Sequence, residues 1–235
     1  MKIHRFFVSQ QIGTTKKIII EDMKLAHQWK KVLRFQVGQE VILCDNTGLE
    51  YRALISRIGS KEAEVQIVSS RRGENTQSIP VFLYIALAKR DAFESVLEKG
   101  TELGITGFIP VLTERSEKKN LNHERAQKII TEASELSGRV FLPEVFEPVE
   151  LSEVLTGLGL PSITIALDPR GNTFDPKEYR RGERVNVFIG PEGGFTEKEI
   201  AMFKANNIPV LSLGKFVLRF ETAAIAASSF LILGA

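Results

Sequence analysis

The chain holds 235 residues with a formal net charge of +2, a single cysteine (Cys44), 43% hydrophobic and 26% charged residues. This balance is that of a globular protein, and the length allows one large or two modest cores. One cysteine excludes an internal disulfide and any cysteine-rich zinc site, so Cys44 reads as a small buried apolar residue.

The charge is unevenly distributed. Residues 1–72 carry 13 Lys+Arg against 7 Asp+Glu, and the remainder carries 18 against 22. A basic amino-terminal module beside a mildly acidic remainder points to a polyanion contact on one side. The opening Met-Lys-Ile-His-Arg-Phe-Phe-Val breaks its apolar run with charge, unlike a signal peptide. The apolar stretch from Thr222 to Ala235 is too short to cross a bilayer. The expectation is a cytoplasmic protein with no membrane partner.

In chain order, Phe6–Val8, Lys17–Ile20, Val41–Cys44, Tyr51–Ile58 and Ala63–Val68 are β-branched or aromatic runs separated by turn residues. Asp45-Asn46-Thr47-Gly48 suits a hairpin connection. Ala26, Gln28, Trp29, Val32 and Leu33 have helical spacing. Five short strands and one helix predict a small barrel, and the polar run 71–78 reads as a linker.

Beyond it the rhythm becomes strand and helix in alternation. Val81–Ala88 is a continuous apolar run, as in a strand covered on both faces. A helix begins at Asp91 with Phe93, Val96 and Leu97 inward, Phe108–Leu112 is the next strand, and Asn122–Ser137 a long helix ended by Gly138. Ile163–Leu167, Val185–Ile189 and Val210–Leu213 are further strands, with helices from Thr196, capped with Glu199, and from Glu221. The fold class is therefore α/β with a mostly parallel sheet, divided into domains 1–72 and 73–235.

Two glycine-bearing turns stand where such sheets bind ligands. Ile189-Gly190-Pro191-Glu192-Gly193-Gly194 lets a ligand approach the backbone and bond its amides. It matches neither the dinucleotide G-x-G-x-x-G pattern nor a phosphate loop. Leu213-Gly214-Lys215-Phe216-Val217-Leu218-Arg219 sets apolar side chains on a loop, where a flat apolar ligand such as adenine, or a partner subunit, would cover them. The small-residue helix from Thr222 to Ser229 permits close packing. His4, His27 and His123 lack metal-ligand spacing, and no metal site is expected.

Taken together, these segments resemble the ribosomal small subunit methyltransferase E family, of the SPOUT superfamily. The resemblance is carried by Arg5-Phe6-Phe7-Val8, Val32-Leu33-Arg34 with Gly38, Lys89 with Asp91, Lys99 to Gly104, Glu114-Arg115-Ser116 and Glu132 to Glu135. It continues through Ser137-Gly138-Arg139, Gly190 to Gly194, and Leu218-Arg219 with Glu221-Thr222-Ala223. It covers nearly the whole chain. Arg90, Leu136 and Lys215-Phe216 depart from the residues usual in the family.

What the resemblance implies is a PUA-like β-barrel followed by a trefoil-knotted methyltransferase domain with helices on both faces of its sheet. It implies a homodimer that uses S-adenosyl-L-methionine to methylate N3 of a uridine in 16S rRNA, within the 30S subunit. The cofactor would rest on Leu167, Ile189, Gly190, Pro191, Glu192, Gly193, Leu213, Gly214, Val217, Leu218 and Thr222.

Uridine N3 carries a proton, so a general base or a cation that stabilises the anion is needed. Arg219 is the choice for the anion. Glu221 would orient Arg219 or take the proton, or else serve its helix. Phosphate contacts are expected from Arg5, Lys30, Lys31, Arg34 and Arg52 on the barrel, and from Lys89, Arg90 and Arg139. Glu135 and Arg139, four residues apart, also read as an ion pair. Two alternatives stand: a non-catalytic RNA-binding dimeric scaffold, and a SPOUT methyltransferase acting on another RNA.

Overall fold

The computed structural model describes residues 3–73, 79–117, 120–158, 162–179 and 184–233. The chain forms two compact units, one of residues 1–76 with 134–142 and one of 77–133 with 143–235.

The amino-terminal unit is a five-stranded sheet in the order β1-β3-β4-β5-β2. Its strands are β1 (His4–Phe7), β2 (Lys17–Ile20), β3 (Glu40–Cys44), β4 (Leu49–Ile58) and β5 (Ala63–Arg72). All pairs are antiparallel except β1 with β3. Along β4, Tyr51, Ala53 and Ile55 are buried while Arg52, Leu54 and Ser56 are exposed, the period-two pattern of a sheet with one wet face. Phe6 from one end strand and Ile18 and Ile20 from the other enter a single core with Trp29, Val41, Leu43 and Val65. The two edges therefore wrap one interior, which is what the strand-rich composition of this region leads one to expect.

Helix α1 (Met23–His27) is capped by Asp22, whose side chain accepts the Leu25 N–H. It runs directly into a π-helical turn over Gln28–Val32. That wider turn buries Trp29 while leaving Lys30, Lys31 and Val32 outside. The expected hairpin at 45–48 is present, and the Asp45 carboxylate holds it through Thr47 N and Oγ1 on one oxygen and Ile12 N on the other.

The second unit contains strands β6 (Val81–Ala86), β7 (Gly107–Leu112), β8 (Glu144–Val145), β9 (Val149–Glu150), β10 (Ile163–Thr173), β11 (Val185–Ile189) and β12 (Val210–Ser212). Their order is β12-β10-β11-β6-β7-β8, with β9 also on β7, and every pair is parallel. The helices are α2 (Arg90–Leu103), α3 (His123–Ser137), α4 (Leu151–Gly157), α5 (Pro176–Tyr179), α6 (Glu197–Ala205) and α7 (Phe220–Ile232).

The continuous apolar runs are explained by two cores, one on each face. Val81, Leu83 and Ile85 of β6 with Val185, Val187 and Ile189 of β11 meet Phe93 and Leu97 of α2, Ile130 of α3 and Ala224 and Leu231 of α7. The alternate residues Tyr84 and Phe188 meet Leu155 of α4 and Ile200 and Phe203 of α6. A strand buried on both faces cannot alternate in polarity.

Strands β8 and β9 and helices α4 and α5 add to the elements expected from sequence. They are two to seven residues long, too short to show a period.

Candidate functional site

The strand order reverses direction between β6 and β11, and sheets of this kind bind ligands where the order switches, beyond the carboxyl ends of the strands. There the second unit encloses a cavity of about 890 Å³, walled by the segments that follow β6, β7, β11 and β12 and by an outward loop of β10.

That loop arises because β10 leaves β12 after Leu167 and rejoins it at Asn172, so Leu167 and Asn172 both pair with Leu211. Such bulges re-aim side chains at sheet rims. Here the bulge turns Asp168, Pro169 and Arg170 into the cavity wall. Gly171 makes the return possible, since a Cβ there would fall 2.5 Å from Leu211 N and against the Val210 carbonyl.

The first turn, Gly190–Gly194, is held from three sides. Glu192 Oε1 accepts the Lys89 N–H at 3.0 Å, standing in for the missing side-chain cap of α2. Arg115 Nη1 donates to the Gly193 carbonyl at 2.6 Å. Buried Asp168 takes a fork from Arg170 (2.7 and 2.8 Å), whose Nη2 also donates to the Phe195 carbonyl at 2.7 Å. Burial opposes the charge on Asp168, but the Arg170 and backbone donors prevail and hold its carboxyl below the usual aspartate range. Gly194 has φ +69°, a conformation that favours glycine. The helix after it starts with a complete capping box between Thr196 and Glu199.

The second segment follows β12. The Ser212 hydroxyl donates to the Gly214 carbonyl at 2.9 Å, and Gly214 has φ +152°. Beyond it Phe216 and Val217 are 85% and 80% exposed and Leu218 is 37% exposed, an unusual display of apolar surface.

Of the eleven residues expected to hold the cofactor, Leu167, Ile189, Gly190, Pro191, Glu192, Gly193, Leu213, Val217 and Leu218 line this cavity, and Gly214 and Thr222 do not. Arg219 and Glu221 line it too. Arg219 is the N-cap of α7 and Glu221 lies in its first turn, where the helix dipole favours an acid. Among the described residues the two form no ion pair with each other. Asp91, Arg115, Asp168 and Arg170 also line the cavity, although the sequence reading gave none of them a site role. Asp91 and Arg115 belong to segments that carry the family resemblance, and Asp168 directly follows the apolar run ending at Leu167.

Lys89 is at the cavity and Arg90 is off it, paired with Glu94. In the amino-terminal unit, Arg5 Nη2 meets Glu50 at 2.5 Å and its Nη1 meets Cys44 Sγ at 3.2 Å, with its side chain only 11% exposed. Arg71 takes the other oxygen of Glu50. Arg52 makes a two-pronged bond to Glu40, both contacts at 2.8 Å. Arg139 donates to the Phe141 carbonyl, and burial lowers its pKa to about 10, so it stays charged at neutral pH. Glu135 accepts the Phe7 N–H. Lys30, Lys31 and Arg34 are exposed, and Arg34 has φ +54°.

The chemistry of the cavity suits S-adenosylmethionine. Leu167, Ile189, Leu213, Val217 and Leu218 give it apolar surface for a purine, its glycines leave backbone amides within reach, and carboxylates at Asp91 and Glu221 suit a cationic, hydroxyl-rich molecule.

Comparison with known proteins agrees. Residues 75–232 match an RNA methyltransferase domain family and residues 30–68 an RNA methyltransferase PUA domain family. A Synechocystis protein named ribosomal RNA small subunit methyltransferase E is 35% identical over 205 residues, 84% of this chain and 67% of that protein. A Legionella pneumophila methyltransferase solved with bound S-adenosylmethionine superposes with a TM-score of 0.91 at 28% identity, covering 100% of this chain and 98% of that one. A ribosomal RNA small subunit methyltransferase E from Neisseria gonorrhoeae, also solved with that cofactor, has the same fold (TM-score 0.91, 24% identity, 97% and 96% covered).

Proposed function

Since this chain belongs to the ribosomal RNA small subunit methyltransferase E family, we propose that it binds S-adenosylmethionine and methylates N3 of one uridine in 16S rRNA, acting in the cytoplasm on the 30S subunit. The observation that carries this reading is the cavity itself, where two glycine-bearing segments, apolar surface and Arg219 converge at the carboxyl ends of parallel strands.

The cofactor supplies an activated methyl group on a sulfonium centre. The protein has to align acceptor with donor, and alignment alone supplies much of the acceleration in such transfers. Leu167, Ile189, Leu213, Val217 and Leu218 would exclude water from the adenine, while Gly190, Pro191 and Gly193 keep the wall low. Arg219 would stabilise the uridine anion at O2 or O4 once N3 has lost its proton, and Glu221 would accept that proton. Lys30, Lys31 and Arg34, exposed on the π-helical turn and the loop after it, would meet phosphates. Arg5 and Arg52 already neutralise Glu50 and Glu40, so their first task is to hold their own unit together.

We further propose a homodimer, in which a second copy covers Phe216 and Val217; light scattering of the purified chain would read a mass of two protomers. The deciding experiment is transfer of labelled methyl groups to 30S subunits that lack the modification. A 3-methyluridine product confined to 16S rRNA is expected. Cofactor binding without transfer would favour another RNA, and no binding would favour a scaffold. Arg219→Gln and Glu221→Gln should each lower turnover at saturating cofactor by about 100-fold; wild-type rates in either would remove that residue from the mechanism.

A further inference from the structure

Among the described residues four cationic side chains line the cavity: Lys89, Arg115, Arg170 and Arg219. Arg170 is consumed by Asp168, Glu197 and the Phe195 carbonyl. Lys89 lies 3.6 Å from Glu117, and Arg219 is assigned to the uridine. Arg115 remains.

Arg115 sits in a turn after β7 that is closed on itself. Ser116 N donates to the Thr113 carbonyl, and Thr113 N donates to Ser116 Oγ, both at 3.1 Å. One guanidinium nitrogen reaches the Gly193 carbonyl at 2.6 Å. The stem lies directly on that glycine, because a Cβ at Gly193 would stand 3.3 Å from Arg115 Cδ. The side chain is thus steered by the cofactor turn, and only one of its five N–H groups is used in doing so.

The acids beside it are directed elsewhere, Glu114 towards Lys198 and Glu117 towards Lys89, each at 3.6 Å. Among the described residues Arg115 has no carboxylate partner. An exposed, oriented guanidinium fork with no ion-pair partner among the described residues, set in the wall of the cavity, matches a phosphate better than any other group an RNA offers.

We propose that Arg115 binds the backbone phosphate of the RNA at the nucleotide whose base enters the cavity. Its anchor on Gly193 makes the turn that supports the cofactor also fix where the substrate backbone lies. Phosphate contacts of this kind set register without reading sequence. The inference rests on the methyltransferase reading above.

The test compares wild type with Arg115→Gln and Arg115→Lys, measuring KM for unmodified 30S subunits over a range of salt and the Kd for S-adenosylmethionine by calorimetry. Arg115→Gln should raise the RNA KM about tenfold and reduce the slope of log KM against log salt by about 0.7–0.9, the loss of one phosphate contact. Loss of the anchor on Gly193 should raise the cofactor Kd by about threefold at most, well short of the RNA effect, and Arg115→Lys should recover most of the RNA affinity as a point charge. A cofactor Kd raised about tenfold with an unchanged RNA KM would overturn the proposal, because Arg115 would then serve only the turn or the cofactor carboxylate. An unchanged RNA KM and salt slope in an active enzyme would overturn it alone. A wild-type chain inert on 30S subunits would overturn the functional reading and this proposal with it.

Discussion

Residues 190–195 and 213–219 each leave a parallel strand and each open into a helix, but the structure secures them differently. The first is pinned by Glu192 on α2, by Arg115 on Gly193 and by the Asp168–Arg170 pair on Phe195. The second has Ser212 bonded to Gly214, and then apolar side chains facing solvent. The first wall is tied by hydrogen bonds to other segments of its unit, whereas the second is tied mainly within its own turn, so substitutions at the two should act differently.

The largest effect should come from breaking the bulge that supplies the pinned wall. Gly171→Ala drives a methyl group into the backbone at Val210 and Leu211. Loss of about 3 kcal/mol or more is expected, read as a lower urea midpoint with the slope unchanged. Next comes Asp168→Asn, which leaves the half-exposed Arg170 facing a neutral amide and weakens the grip on Phe195. About 2 kcal/mol should be lost.

The pH dependence of that pair has a definite sign. The folded carboxyl of Asp168 titrates below its unfolded value, so its contribution is complete above the ordinary aspartate pKa of about 3.9 and is lost as pH falls through the lower folded value. Melting of wild type and Asp168→Asn should converge as the pH drops below about 4; parallel curves would show that the carboxylate charge is not what matters.

On the unpinned side, Val217→Ser should leave the urea midpoint within about 0.5 kcal/mol while weakening cofactor binding about tenfold in calorimetry. A large loss of stability there would erase the contrast between the two walls. The smallest effect is expected away from both. Glu94, gripped by Arg125 and Arg90, has its pKa held down to about 2, so its contribution should fade between pH 4.5 and 2. Glu94→Gln should cost about 1 kcal/mol at neutral pH, given its exposed partners.

The two layers of this molecule were legible in its sequence to different depths. The period-two strands of the first 70 residues and the unbroken runs at 81–86 and 185–189 declare how many faces each strand buries. The glycines at 190–194 and the displaced apolar residues at 216–218 declare the site. The strand order is not legible, because β10, β11 and β6 become neighbours through crossovers whose geometry leaves no local mark. Nor is the partition of charged residues. Arg5 and Arg52 read as free cations in a basic module, yet each meets an acid from another strand, Glu50 and Glu40. Asp168 and Arg170 carry no local signal because a bulge has no periodic signature, and the site role of Arg115 is hidden because a turn reveals its neighbours only when folded.

The chain's single thiol offers a further use. Cys44 is fully buried under Arg5, and burial pushes its pKa up. A maleimide added to the native protein therefore meets no accessible thiolate, and labelling has to wait for the strand that carries it to open. The rate of modification becomes a clock for opening of the amino-terminal unit alone. It can be read by mass without any introduced probe, while the unit that holds the cavity stays silent in the same spectrum.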